Sequence, residues 1–183
     1  VALILEKSSY KKLIRYSNTD PYHTKDGVTK TTSLVFSETD VSSTSTASYL
    51  SDTFSYGINY NVPISETRSY GYGGEIKFTD YTTTSSSPTN VTSFLDKHGS
   101  THFGFVLNAS FVEDTRDRTV YANQGYRQSL SSSMYLPPDF DYSYISLTYR
   151  GEYNTPYKLN FLDMFDWDTT FSVKPQLGVG VGL

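Results

Sequence analysis

The run Ser69-Tyr70-Gly71-Tyr72-Gly73-Gly74-Glu75-Ile76-Lys77-Phe78-Thr79 divides by parity into two kinds of residue. Tyr70, Tyr72, Gly74, Ile76 and Phe78 share one face, and Gly71, Gly73, Glu75, Lys77 and Thr79 share the other. Side chains alternate with a period of two in an extended strand, so this stretch reads as a β-strand with one apolar and one polar side. The same division returns in Ile145, Leu147, Tyr149, Gly151 and Tyr153 against Ser146, Thr148, Arg150, Glu152 and Asn154. It returns again in Phe171, Val173, Leu177, Val179, Val181 and Leu183 against Ser172, Lys174, Gln176, Gly178, Gly180 and Gly182. Every charge in these three stretches falls on the polar side. Phe54, Tyr56, Ile58, Tyr60 and Val62 oppose Ser55, Gly57, Asn59 and Asn61, while Phe103, Phe105, Leu107, Ala109 and Phe111 share a face that Val106 and Val112 blur. Weaker segments at 1–7, 10–17, 29–38 and 127–135 bring the expectation to about nine strands. In the second of these, Lys12 sits among Tyr10, Ile14 and Tyr16 and breaks the rule.

Alternation does not say what the apolar face meets, because a soluble sandwich and a membrane barrel give the same string with the faces exchanged. Length separates them: soluble strands average about 5–6 residues, whereas a tilted membrane strand needs about 9–11. The clear segments match the longer figure. The polar face is filled with Gly, Ser, Asn, Lys, Arg and Glu, a composition suited to a wet lumen. Lys or Arg on the lipid side would cost roughly 2–4 kcal/mol near the bilayer middle, so confinement of charge to one face is expected.

Composition agrees. A chain of 183 residues, 37% hydrophobic and 19% charged, suffices for one folded domain. Its 17 Tyr and 11 Phe, with one Trp, stand out, since amphipathic rings suit a surface that is apolar at one height and wet at another. No run approaches the roughly 18–20 apolar residues of a membrane helix, so a membrane protein of this sequence must be a barrel. Cysteine is absent, which excludes disulfides and thiolate metal sites. A net charge of −4 with scattered Lys and Arg gives no footprint for nucleic acid. The chain starts at Val1 and ends inside a regular pattern, as a piece of a longer protein would.

The fold expected is therefore all-β: residues 1–183 form part of one antiparallel transmembrane β-barrel domain. The lipid-facing set is Tyr56, Ile58, Tyr60, Tyr70, Tyr72, Ile76, Phe78, Phe103, Phe105, Leu107, Phe111, Leu147, Tyr149, Tyr153, Val179 and Val181. Polar, turn-rich joints fall at 18–27, 40–51, 82–100, 114–125 and 137–141, and the Ser/Thr runs at 42–48 and 82–87 read as solvated, mobile loops. Residues 158–167 lack strand period and read either as an interfacial segment or as the ragged ends of two strands.

Signals for chemistry of other kinds are weak. His98 and His102, spaced four apart, would suit a metal only on a helix, and here they flank Gly99 in a loop. Asp139 and Asp141 beside Pro137-Pro138 read as a loop tip, and the glycines around 71–74 and 178–182 as kinks on a lumen face rather than phosphate loops. No nucleophile and base stand at credible spacing, so no enzyme, cofactor or metal is expected.

Two joints carry a family resemblance. Asp20-Pro21-Tyr22-His23-Thr24-Lys25-Asp26-Gly27-Val28 resembles the N-P-Y-x-x-x-D-G-V turn of the bacterial surface antigen barrels, the BamA-type assembly factors. Asp114-Thr115-Arg116-Asp117, followed by Gly125-Tyr126-Arg127-Gln128-Ser129-Leu130, resembles their D-x-R-D…G-x-R-x-x-L joint, although prolines usual there are replaced by Thr119 and Ala122. Residues 142–153 are similar to the family's next strand. Locally, Pro21 removes an N–H and ends a ladder, while Gly27 and Gly125 accept backbone angles closed to other residues. Arg116 and Arg127 near Asp114 and Asp117 either form a paired cluster that pins the turn or are exposed charges that keep it wet.

The resemblance implies a position from about the third to the eleventh strand of a sixteen-stranded barrel, with both joints on the periplasmic side. The POTRA domains, first and last strands and V-R-G-F loop of the family would lie outside residues 1–183. It further implies a bacterial outer-membrane protein that folds and inserts other barrels there, without enzymatic chemistry. Its partners would be outer-membrane lipids and lipopolysaccharide, nascent outer-membrane proteins and accessory assembly lipoproteins. Alternatives are a TamA-like or two-partner secretion barrel, a passive porin, or a soluble adhesin-like β-domain. Strand edges at both ends would keep this stretch from closing alone.

Overall fold

A computed structural model describes residues 1–40, 49–161 and 165–182, without side chains at 159–161 and 165–168. It holds ten strands: β1 (Ala2–Lys7), β2 (Lys11–Asp20), β3 (Thr29–Asp40), β4 (Tyr49–Pro63), β5 (Arg68–Thr83), β6 (Thr101–Asp114), β7 (Gly125–Leu136), β8 (Tyr144–Phe161), β9 (Phe165–Val173) and β10 (Gln176–Gly182). One helix, α1 (Thr89–His98), lies between β5 and β6. All the strands join one antiparallel sheet in the order β1 to β8 and then β10, with β9 paired to β8 beside β10. The sheet is open, and β1 and β10 are not bonded to each other.

The expected nine strands become ten because the stretch around 171–182 is broken. Pro175 offers no N–H, so the ladder stops at Val173 and resumes at Gln176. β8 therefore pairs with β9 through residues 153–161 and with β10 through 144–150. Residues 158–161 and 165–167 are strand, which decides for the ends of two strands over an interfacial segment. The expected mobile run at 42–48 and Leu183 lie outside the described residues.

The second departure is α1, in a stretch expected to be loop. Val91, Phe94 and Leu95 give a helical spacing, Pro88 precedes the first turn, and Gly99 closes the last with φ 82° and a 2.7 Å bond from its N–H to the Leu95 carbonyl. His98 is thus helical and His102 belongs to β6. Among the described residues no helix is long and apolar enough to cross a membrane.

Packing inverts that of a water-soluble domain. Among the described residues the buried apolar side chains are Leu13, Ala122, Tyr135 and Pro137, whereas Ser55, Thr79, His102, Glu113, Ser143 and Asn154 are buried polar ones. The accessible surface is 12597 Å²; a compact soluble chain of 20.6 kDa would expose roughly 8900 Å² by the usual size scaling. The excess is the surface of a single-layer wall.

Candidate functional site: a two-faced wall and its pinned joints

Strand register carries the alternation across the whole wall. Ile14, Phe36, Phe54, Phe78 and Phe103 are successive partners on β2 to β6, and Tyr16, Leu34, Tyr56, Ile76 and Phe105 form the next row on the same face. Rings meet between strands: Phe78 lies 4.6 Å from Phe103, and Tyr60 stacks on Tyr72 at 5.4 Å. Such cross-strand pairs stabilise a sheet by about 0.2–1 kcal/mol each. These rings nonetheless stay open on one side.

Of the sixteen residues expected to face lipid, Tyr56, Tyr70, Tyr72, Ile76, Phe78, Phe105, Leu107, Phe111, Leu147, Tyr153, Val179 and Val181 are exposed, and Ile58, Tyr60, Phe103 and Tyr149 are half-buried by neighbours. All sixteen share the apolar face. Gly151 lies between two of them, and a Cβ there would meet Tyr153, Pro175 and Tyr149. Its bareness lets the Tyr149 and Tyr153 hydroxyls come within 2.5 Å.

The opposite face is the concave one. A cavity of about 410 Å³ lies against it, lined by Thr29, Thr31, Asn59, Asn61, Asn108, Ser110, Ser131, Ser133, Ser146 and Thr148 among others. Gly71 belongs to this lining and Gly73 to the same face, where Cβ atoms would collide with Ser110 and Asn59 respectively. The wall therefore curls toward hydroxyls and amides.

Among the described residues, charge returns to the apolar face toward the strand ends, as at Lys30 near the start of β3, 5.9 Å from the Tyr60 ring. Arg68 and Asp80 bracket the outer residues of β5, with Arg68 Nε 2.7 Å from Glu113 Oε1 and Gln128 Nε2 2.7 Å from Glu113 Oε2. At the other border Lys12, Glu38, Asp52 and Asp80 are successive partners, and Lys12 Nζ is 2.8 Å from Glu38 Oε1. This resolves the anomaly of Lys12: it stands at the rim of the apolar band. Twelve residues separate Arg68 from Asp80, roughly 40 Å of strand, which at a tilt of 35–45° spans about 28–33 Å. That is the thickness of a bilayer's hydrocarbon core.

The β2–β3 joint is held locally. Tyr22 N–H donates to Asp20 Oδ1 at 3.3 Å, His23 N–H to the Val28 carbonyl at 2.9 Å and Gly27 N–H to the Thr24 carbonyl at 3.1 Å. β2 ends before Pro21, and Gly27 has φ 78°. Both act as the sequence suggests.

The β6–β7 joint is held by charge. Arg116, whose side chain is 6% exposed, forks onto Asp114 at 2.9 and 2.8 Å and reaches Glu152 Oε2 on β8 at 3.0 Å. Arg127 Nε is 3.7 Å from Asp114. Asp117 stands apart, accepting from the N–H groups of Asn123 and Gln124 at 2.9 and 3.4 Å. Burial pushes its carboxyl up, but those N–H groups and Arg118 outweigh it and hold it below the ordinary aspartate value. Gly125 has φ 95°, and a Cβ there would strike the Thr115 carbonyl. Of the two open readings of this joint, the paired cluster forms around Asp114 with Arg116 and Arg127, and Asp117 is not part of it.

The sequence reading missed the reach of this cluster to Glu152 and Lys174, 3.7 Å apart. It also missed an aromatic cap on the concave face near α1. Phe94 stacks on His102 at 5.3 Å, His98 lies 5.0 Å from Tyr142, and His102 Nδ1 is 3.0 Å from the Tyr142 hydroxyl. Tyr135 covers Gly104 and stacks on Tyr144 at 5.5 Å. One signal was available, the Pro88 to Gly99 frame of the helix. Among the described residues, His98, Asp139 and Asp141 place metal-type ligand atoms within 4.8 Å of one another, with both carboxylates exposed.

A curled antiparallel wall with an apolar outer band of membrane thickness and a polar concave side defines a segment of a transmembrane β-barrel. The Omp85 superfamily domain matches residues 1–183, so the chain belongs to that superfamily of outer-membrane β-barrel proteins. The fold is similar to the crystal structure of BamA from Haemophilus ducreyi lacking POTRA domains 1–3, with a TM-score of 0.78 and 17% identity. That likeness covers 99% of this chain and 35% of the BamA chain, so the present chain spans about a third of it. Among curated protein sequences, none matches.

Proposed function

We propose that this wall belongs to the membrane domain of an assembly factor that folds and inserts β-barrel proteins into the bacterial outer membrane. The observation that carries the reading is the BamA-like fold over 99% of the chain, together with the two joints whose residues resemble those of the BamA-type barrels. The apolar band would face outer-membrane lipids and lipopolysaccharide, and the concave side a wet lumen. In this reading the protein is not an enzyme: it lowers the barrier to strand pairing for nascent outer-membrane proteins, with accessory assembly lipoproteins as partners.

The test is reconstitution of the full-length protein in lipid vesicles with a chaperone-held client barrel, read by the heat-modifiable gel shift of the folded client. Faster client folding than in empty vesicles is expected. Client folding at the rate of empty vesicles, with ion conductance through the protein, would instead make it a passive pore.

A further inference from the structure

The concave face carries an excess of positive charge at one place. Arg127, Arg150 and Lys174 converge with Ser129, Glu152 and Gln176 on a cavity of about 300 Å³ at the end of the wall that holds the β6–β7 joint. The two carboxylates there are already served. Arg116 takes Asp114 at 2.8 Å and Glu152 at 3.0 Å, whereas Arg127 and Lys174 reach the same acids only at 3.7 Å. Arg150 makes no ion pair among the described residues, and its partners in register are Ser129 and Gln176. Four cations thus stand against two carboxylates, in a chain whose net charge is −4. The Arg127, Arg150 and Lys174 side chains are all solvent-accessible.

We propose that this cavity is a binding site for carboxylate side chains of an extended polypeptide segment running along the inside of the wall. Guanidinium groups present forked donors that match a carboxylate, and two of them with an ammonium around one opening fit an acidic partner. A lipid headgroup is on the wrong side, because Leu147, Tyr149 and Tyr153 of the same strand point to the opposite face. Beyond Ser129 the same face of β7 carries Ser131 and Ser133, which belong to the hydroxyl lining. That lining offers donors and acceptors to a peptide backbone, which a lone inorganic anion does not need. The inference depends on the polar face lying inward and not on the assembly reading.

The experiment uses full-length protein in detergent and two fluorescein-labelled peptides, an Asp-Thr repeat and its Asn-Thr counterpart, with binding read by anisotropy. The acidic peptide is expected to bind at least about tenfold more tightly than the amide one, with affinity falling as salt rises. The variant Arg150→Gln/Lys174→Gln is expected to lose that preference while keeping its heat-modifiable migration, and Arg150→Lys/Lys174→Arg to retain it. Equal binding of both peptides by the wild-type protein would overturn the proposal, whatever the variants do. So would an unchanged preference in Arg150→Gln/Lys174→Gln, or displacement of the acidic peptide by an equal concentration of inorganic phosphate.

Discussion

The two joints at one end of the wall do the same task with different physics. Between β2 and β3 the chain turns on Pro21, Gly27 and hydrogen bonds that span at most eight residues. Between β6 and β7 it turns on Arg116, which ties Asp114 to Glu152, 36 residues further on. The first joint is a local device and the second joins three strands. A local device loses only itself when altered, whereas losing a buried cation that bridges strands leaves Asp114 and Glu152 only their longer 3.7 Å ion pairs with Arg127 and Lys174.

The comparison orders the expected losses. Arg116→Ala should cost most, about 3 kcal/mol, because the side chain is almost fully enclosed and its removal takes the short charged contacts from both acids at once. The measure is urea unfolding of the folded full-length barrel, and a cost below that of the other substitutions here would remove the distinction between the joints. Gly125→Ala should follow at about 2–3 kcal/mol, since a positive φ and a collision with the Thr115 carbonyl act together. Gly27→Ala has the positive φ but only Pro63 at 3.7 Å, so about 1 kcal/mol is expected in the same assay.

The smallest effect concerns pH. Asp117 has a lowered value in the native joint, so its contribution is complete above the ordinary aspartate value of 3.8 and fades as pH falls through the lowered one. Amide exchange of Asn123 and Gln124, which donate to it, should accelerate relative to neighbouring amides below that range. Asp117→Asn should abolish the extra acceleration; its persistence would assign the acid response to another group.

What could be read from the sequence depended on how far each determinant lay from its partner. Tyr70 to Phe78 or Ile145 to Tyr153 declare their faces by neighbours two residues away, so strands and sides were legible. Pro21, Gly27 and Gly125 were legible for the same reason, each acting through its own backbone. Glu152 was not, because it reads as one more polar residue until register sets it beside Arg116. The Lys12–Glu38 border pair is 26 residues apart and looked like a broken pattern. The break at Pro175 was visible as a proline, but the long alternation on either side overrode it. The α1 segment was masked by its Ser- and Thr-rich surroundings, although Pro88 and Gly99 framed it.

Facing decides the whole account, and one pair of neighbours on β8 tests it. Leu147 is exposed on the apolar side, while Thr148 lines the concave cavity. In the full-length protein, Leu147→Arg should disfavour membrane insertion by roughly 2–4 kcal/mol and abolish the heat-modifiable folded form, whereas Thr148→Arg should assemble normally. Equal tolerance at the two positions, or failure of Thr148→Arg alone, would mean that hydrocarbon does not lie against the tyrosine-rich face.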